Sequence, residues 1–266
     1  MSDRMHPQRP IEDWPDALEA AASACRHVRR VQLLRETAST QDHARASGAP
    51  AGTAVIAFRQ TAGRGRLGRA WADTAHEGIA VTFVVGDRSP ESLAMRSAVA
   101  AATAARTFAG DAPGIKWPND VVAGGRKLAG VLVERSEGRA LVGIGVNVLQ
   151  RSFPAELAQH ATSLALLGAA CDRLDVLTAL VAALDAALEA TDDDIYRTYR
   201  GLDRMCGNRV RFLAPDGAVE GTVRDVDPLH GLLVDTDAGP RFLPAATTSV
   251  APPASGSRYG GSDASS

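Results

Sequence analysis

The chain has 266 residues, of which 45% are hydrophobic and 23% are charged, and its formal net charge is −2. This composition supplies enough apolar material for a packed core and excludes a disordered or fibrous protein. A basic excess, which is typical of proteins that bind nucleic acid, is missing. No apolar run reaches the roughly 18 residues of a membrane span, and the N-terminus lacks the pattern of a signal peptide. The three scattered cysteines favour reduced thiols and a cytoplasmic protein.

The first elements of the chain are predicted to be one helix and one short strand. The segment from Asp16 to about Arg30 favours a helix, and Val31–Glu36 favours a strand. The 38 residues before Ser39 hold one helix at most, whereas a helix-turn-helix domain needs several packed helices. Residues 1–32 are therefore interpreted as an N-terminal extension without a complete DNA-binding domain, and no specific DNA binding is expected.

Strands and helices alternate through the middle of the chain. Ser89 and Pro90 form a helix N-terminus that is followed by small and apolar residues at helical spacing. One long helix is predicted from about Arg173 to Tyr199. The mixture predicts an α/β (α+β) domain with a mixed sheet at residues 33–203. Its apolar runs, of which Gly78–Val85 is rich in β-branched residues, predict strands at Thr53–Arg59, Gly78–Val85, Leu128–Glu134 and Leu141–Val148.

After Gly201 the pattern changes to short strands separated by turn sequences such as Pro215-Asp216-Gly217. This spacing predicts a small β-barrel at residues 204–251. Residues 252–266 are rich in glycine and serine and are predicted to form a disordered tail. The strands of the barrel are expected at Arg209–Leu213, Val219–Val226, Leu232–Asp235 and Arg241–Leu243.

The segment Gly63-Arg-Gly-Arg-Leu-Gly-Arg69 directly follows a predicted strand. Glycines let backbone N–H groups approach an anion, and Arg64, Arg66 and Arg69 add guanidinium groups suited to carboxylate or phosphate. The helix that should follow a dinucleotide-binding Gly-x-Gly-x-x-Gly is missing. By itself the segment is compatible with an anion-binding loop, a solvated basic loop or an RNA-binding Arg-Gly segment.

Three further motifs carry polar or small residues beside apolar strands. They are Lys116-Trp-Pro-Asn-Asp120, Lys127-Leu-Ala-Gly-Val-Leu-Val-Glu134 and Gly143-Ile-Gly-Val-Asn147. Glycine inside a strand indicates the close approach of a ligand or another backbone. Lys116 and Lys127 are the only lysines among 29 lysine and arginine residues. Either a coding bias toward arginine or a need for a compact ammonium group explains their position.

These motifs, in this order and preceded by Ser39-Thr-Gln41 and Gln60, resemble biotin–protein ligases of the short bacterial type. The resemblance covers about residues 33–250. It implies a catalytic domain followed by an SH3-like barrel, in a cytoplasmic monomer or homodimer. It also implies ATP and Mg²⁺ as cofactors and biotin as substrate. Biotin would be activated as biotinyl-5′-AMP and then transferred to a lysine of a biotin carboxyl carrier domain.

The same resemblance implies roles for individual residues. Lys127, Arg64 and Arg66 are expected to be catalytic because they offset the repulsion between a carboxylate and a phosphate. The family has Asn where this chain has Gln41, so that contact departs from the pattern. Biotin contacts are implied for Ser39, Thr40, Gln41, Gln60, Arg64, Gly65, Arg66, Lys127, Gly143 and Gly145. ATP contacts are implied for Arg69, Trp71, Lys116, Asn119 and Asn147, and no metal ligand is assigned.

Two other functions are compatible with parts of the sequence. A lipoate–protein ligase would share the general architecture and the acyl-adenylate chemistry. An RNA-binding module would explain an Arg-Gly segment beside a small barrel. The net charge and an aromatic content of 5% argue against the RNA-binding module, because proteins that bind single strands stack bases on aromatic side chains.

Overall fold

A seven-stranded mixed sheet organises the computed structural model, which describes residues 8–65, 70, 71 and 77–251. The strand order is β1-β2-β5-β9-β8-β7-β6; the β1–β2 pair is parallel and the other neighbours are antiparallel. A separate short pair, β3–β4, follows β2. The strands are β1 (Arg30–Thr37), β2 (Thr53–Gln60), β3 (Gly63–Arg64), β4 (Ala70–Trp71), β5 (Gly78–Val85), β6 (Gly114–Lys116), β7 (Asp120–Ala123), β8 (Arg126–Ser136) and β9 (Arg139–Asn147).

The two faces of this sheet are covered differently. On one face, Ile56, Phe83 and Val142 join the large hydrophobic core together with residues of α3 and α4. On the other face, the alternate residues Val84 and Leu141 join a small cluster with Ala44 of α2. This second face, which carries the short helix α2, is therefore the face with room for a ligand. The helices are α1 (Trp14–Ser23), α2 (Thr40–Ala46), α3 (Pro90–Ala109), α4 (Arg173–Glu189) and α5 (Asp192–Leu202).

The N-terminal helix is shorter than the sequence predicts. α1 ends at Ser23 instead of continuing to Arg30, because Asp185 of α4 accepts the backbone N–H groups of residues 26, 27 and 28 in a non-helical segment. Burial raises the pKa of Asp185, but these three N–H donors outweigh it, so that the pKa lies below its ordinary value. Trp14 also stacks on the buried guanidinium of Arg173. These contacts fasten α1 to α4.

The prediction of a single helix from Arg173 to Tyr199 is wrong. The chain forms α4 and α5, with Thr191 as the N-cap of α5 and its hydroxyl accepting the N–H of Asp194. The buried guanidinium of Arg96, from α3, hydrogen-bonds the carbonyls of Ala187 and Ala190 at the break. Tertiary hydrogen bonds thus satisfy the end of α4 where a continuous apolar pattern suggested a longer helix.

The C-terminal strands form a second, five-stranded antiparallel sheet in the order β13-β12-β11-β10-β14. The four predicted strands of this region are confirmed, and Phe212 and Val234 join the same core as the first sheet. The closure of this sheet as an SH3-like barrel and the three domain boundaries stay predictions, and the tail from residue 252 lies outside the described residues. The strands are β10 (Arg209–Ala214), β11 (Gly217–Asp227), β12 (Gly231–Thr236), β13 (Gly239–Pro244) and β14 (Ser249–Val250).

No helix within the described ranges is long and apolar enough to cross a membrane.

Candidate active site

A cavity of about 430 Å³ opens on the α2 face of the seven-stranded sheet. Its floor contains Gly143 and Gly145 of β9, which point to the same face because side chains alternate along a strand. Gly143 pairs with Thr82 of β5 and Leu132 of β8, and Gly145 pairs with Ala80 and Gly130. Each glycine and its partners on the neighbouring strands form a row across the sheet, and the two rows are about 7 Å apart along β9. The glycine in each row leaves space above the sheet.

Neutral polar groups surround the Gly143 row. Ser39 is the N-cap of α2. The backbone N–H and the hydroxyl of Thr40 both donate to Oε1 of Gln60, at 2.9 and 3.2 Å, and the Thr40 hydroxyl lies 2.8 Å from that of Thr82. Together with Gln41, these side chains are buried, and we call this region the neutral end of the cavity. Such groups suit a ligand head group with hydrogen-bond donors and acceptors but no charge.

The Gly145 row carries the charged residues of the cavity. Nζ of Lys127 lies 2.6 Å from Oδ1 of Asp120, and its side chain crosses Gly130, where an added Cβ would lie 2.9 Å from both Cε and Nζ. The indole of Trp71 lies over Gly145, and its ring centroid is 5.7 Å from Nζ of Lys127. Both glycines are needed for these close approaches. We call this region the cationic end.

The predicted ATP contacts Lys116, Asn119 and Asn147 also line the cavity. The side chain of Asn119, which directly precedes β7, donates to the carbonyl of Val131 in β8. The side chain of Asn147 donates to the carbonyls of Lys127 and Thr162, at 3.4 and 2.9 Å. These two asparagines therefore hold the strands around Lys127 in place, while their contact with ATP stays a prediction.

Arg64 lines the cavity, but carboxylates already surround its guanidinium. It lies 2.6 Å from Asp42 and 3.2 Å from Glu134, and Arg45 bridges the same two carboxylates. The charges of these four residues balance. Lys127 has one carboxylate contact among the described residues, which is Asp120. It is therefore better placed than Arg64 to bind a further anion.

All the proposed site residues that the structure describes line this one cavity. Arg66 and Arg69 lie outside the described residues. Asp120 was not predicted as a site residue, although it belongs to the Lys116–Asp120 motif, and no role was predicted for Gly130. The wall formed by Leu157, His160 and residues 249–251 was not predicted either, because those segments carry no periodic or motif signal.

Asp120 is the only carboxylate among the described residues that line the cavity. The described ranges contain no group of three or more His, Cys, Asp or Glu side chains that could hold a metal ion. In nucleotide sites, however, Mg²⁺ is usually held by one or two carboxylates together with substrate phosphates. The residues present therefore fit an ion carried mainly by the nucleotide, for which Asp120, now paired with Lys127, would be the protein contact.

The three cysteines are free thiols that lie away from the residues lining the cavity. Burial raises the pKa of Cys171 to about 11 and that of Cys206 to about 12, and nearby carboxylates act in the same direction. Burial also raises the pKa of Cys25. These raised pKa values keep the thiols protonated at neutral pH. Because the thiolate is the nucleophilic form, the three cysteines are poor nucleophiles.

Comparison with known proteins agrees with this geometry. Residues 30–150 match the biotin/lipoate A/B protein ligase family. The chain is 36% identical to the biotin–[acetyl-CoA-carboxylase] ligase of Mycobacterium tuberculosis, over 88% of this chain and 92% of that protein. It is 34% identical to the bifunctional ligase/repressor BirA of Bacillus subtilis, over 80% of this chain and 70% of that protein.

A solved structure supports the same assignment. The biotin protein ligase from Aquifex aeolicus, in complex with biotin and ATP, superimposes with a TM-score of 0.76 at 28% identity, over 84% of this chain and 99% of that chain. This match confirms the predicted α/β fold with a mixed sheet. Together with the identity to the M. tuberculosis ligase along nearly the whole of both chains, it shows that the chain belongs to the biotin protein ligase family.

Proposed function

We propose that this chain is an ATP-dependent biotin–protein ligase whose cavity holds the ureido head group of biotin at the neutral end and its carboxylate at the cationic end. The observation that carries this orientation is the separation of the two ends. Thr40, Gln41 and Gln60 surround the Gly143 row, whereas Lys127 crosses Gly130, which pairs with Gly145. A bicyclic urea with a charged tail matches both ends at once.

The first reaction joins biotin to AMP. A carboxylate oxygen attacks the α-phosphorus of ATP, the bond from that phosphorus to the bridging oxygen breaks, and pyrophosphate leaves. Lys127 lowers the repulsion between the two anions, since its ammonium stands at the cationic end of the cavity. Mg²⁺, when bound with the nucleotide, supplies further charge neutralisation on the phosphate oxygens.

The second reaction transfers the acyl group. The amine of an acceptor lysine attacks the acyl carbon of biotinyl-5′-AMP, the bond to the AMP oxygen breaks, and an amide forms with loss of a proton from the amine. The acceptor is a biotin carboxyl carrier domain. Residues 249–251 line the cavity, which supports a role for the C-terminal sheet, as an SH3-like barrel, in closing the site around the nucleotide.

A transfer assay read by intact mass tests this function. The chain is mixed with ATP, Mg²⁺, biotin and an apo biotin carboxyl carrier domain, with lipoate and a Lys127→Ala variant in parallel. We expect one biotin adduct on the carrier, no lipoyl adduct, and strong loss of the biotin adduct in the variant. Lipoyl transfer would favour the lipoate ligase alternative, and no adduct on a validated carrier would overturn the proposal.

A further inference from the structure

The side chain of Gln41 occupies the space that Gly143 leaves open. A Cβ added at Gly143 would overlap Oε1 of Gln41 and would lie 3.3 Å from its Cδ. Gln41 lies within the neutral end and is only 5% exposed. Any side chain at residue 143 would therefore force the Gln41 carboxamide away from the floor and into the cavity.

Two backbone carbonyls fix the orientation of this carboxamide. Nε2 of Gln41 lies 3.4 Å from the carbonyl oxygen of Leu132 and 3.3 Å from that of Leu141. Since a carbonyl only accepts hydrogen bonds, the amide nitrogen must face these two strands. Oε1 is then the atom over Gly143, and no donor in the described part of the chain hydrogen-bonds it. It offers the ligand an acceptor and no donor.

The length of the side chain matters as much as its orientation. Asn is one methylene shorter than Gln, so a carboxamide attached there by Asn would withdraw from Gly143. The space so released is about the size of a methyl group. Hydrophobic and steric discrimination of one methyl group in an enclosed pocket is typically about 10- to 200-fold in kcat/KM.

We propose that Gln41, seated on Gly143, is a specificity-determining residue that requires an N–H on the ligand head group and limits its size. This inference rests on the proposed function, because it takes the ureido ring of biotin as the head group. The pair acts as a unit: the glycine gives the carboxamide its place, and the carboxamide sets the depth of the neutral end.

The first experiment measures substrate choice. Biotin-dependent exchange of pyrophosphate with ATP is followed for the unmodified chain and for Gln41→Asn, with biotin and with each of the two biotins methylated on one ureido nitrogen. We expect kcat/KM of the unmodified chain to be at least 100-fold higher for biotin than for the methylated biotins. For at least one methylated biotin, this preference should fall at least 10-fold in Gln41→Asn. An unchanged preference for both methylated compounds overturns the inference.

The second experiment measures coupling between the two residues. Gly143→Ala should raise KM for biotin at least 30-fold, because the displaced carboxamide enters the cavity, and adding Gln41→Asn should recover at least 10-fold of that loss. KM for ATP should change less than threefold throughout. Gly86→Ala serves as the matched control, since a Cβ there meets nothing within 4 Å, and it should leave both KM values unchanged.

The outcomes separate the inference from the function on which it rests. No exchange by the unmodified chain with biotin overturns the proposed function and the inference together. Normal exchange with additive penalties in Gly143→Ala and the double variant overturns the inference alone. If Gly143→Ala does not fold, judged by its circular dichroism spectrum, the discrimination of methylated biotins by Gln41→Asn decides the matter.

Discussion

The two ends of the cavity are built on opposite principles. At the neutral end, Thr40, Gln41 and Gln60 are 4–9% exposed and their polar atoms are mostly bound to one another or to backbone. At the cationic end, the side chains of Lys127 and Asp120 are 39% and 31% exposed. The buried end holds neutral groups and the open end holds the charges.

This difference follows from the energetics of burial. A buried polar group that lacks a partner costs about 1–3 kcal/mol, so most groups of the neutral end hydrogen-bond one another or the backbone, and Oε1 of Gln41 is the acceptor left for the ligand. Burying an ion pair costs several kcal/mol per ion before any attraction is counted. Leaving Lys127 and Asp120 partly in water avoids that cost and keeps the ammonium accessible to an anionic ligand. The neutral end is therefore suited to recognition and the cationic end to chemistry.

Lys127→Ala tests whether the chemistry depends on the cationic end alone. We expect kcat for biotin-dependent pyrophosphate exchange to fall about 10²- to 10³-fold, as for the loss of one preorganised charge-stabilising group. The Kd of biotinol, the uncharged alcohol analogue of biotin, should change less than threefold, because biotinol retains the head group. Equal losses in both measurements would show that the two ends are not independent.

Gly130→Ala perturbs the same lysine without removing its charge. The new Cβ would lie 2.9 Å from Cε and Nζ of Lys127, and a flexible side-chain end yields more readily than a strand. A misplacement of about 1 Å can reduce the rate about 100-fold. Because the end of the lysine side chain needs to shift by less than that, we expect kcat to fall about 10-fold. Gly86→Ala is the matched control. An unchanged kcat would mean that Lys127 does not act from its place over Gly130.

The secondary structure was largely predictable where local pattern and tertiary structure agree. The strand at Gly78–Val85 is rich in β-branched residues, residues 128–134 form a mostly apolar run, and Ser89-Pro90 begins α3 as predicted. The helix predictions failed where distant side chains intervene. Asp185 captures the chain after α1, and Arg96 caps the end of α4. Neither partner lies near these breaks in sequence.

The site was predictable in membership but less so in arrangement. The motifs named residues that the fold does bring to one cavity, since Gly143 and Gly145 lie on adjacent inward positions of β9. Sequence spacing does not show that Asp42 and Glu134 surround Arg64, or that Asp120 meets Lys127 across two strands. Those pairings depend on strand register, which is set by the whole sheet.

Thr40→Val tests the neutral end in the same way. The substitution keeps the shape of the side chain but removes the hydroxyl that contacts Gln60 and Thr82. Losing one such hydrogen-bonding group typically costs about 1–2 kcal/mol, so we expect KM for biotin to rise about 10-fold while kcat changes less than threefold. Thr40→Ser should restore KM. A fall in kcat with unchanged KM would assign Thr40 to the chemistry instead.

Ionic strength should distinguish the ends without any substitution. Raising salt from 0.1 M to 1 M shortens the Debye length from about 10 Å to about 3 Å, and exposed charges are screened far more than buried neutral groups. We expect KM for ATP to rise about threefold, since its phosphates meet the half-exposed Lys127, whereas the Kd of biotinol should stay within 1.5-fold. If biotinol binding weakened as much as ATP binding, charge would contribute to head-group recognition, and the neutral end would not recognise its ligand by hydrogen bonds and shape alone.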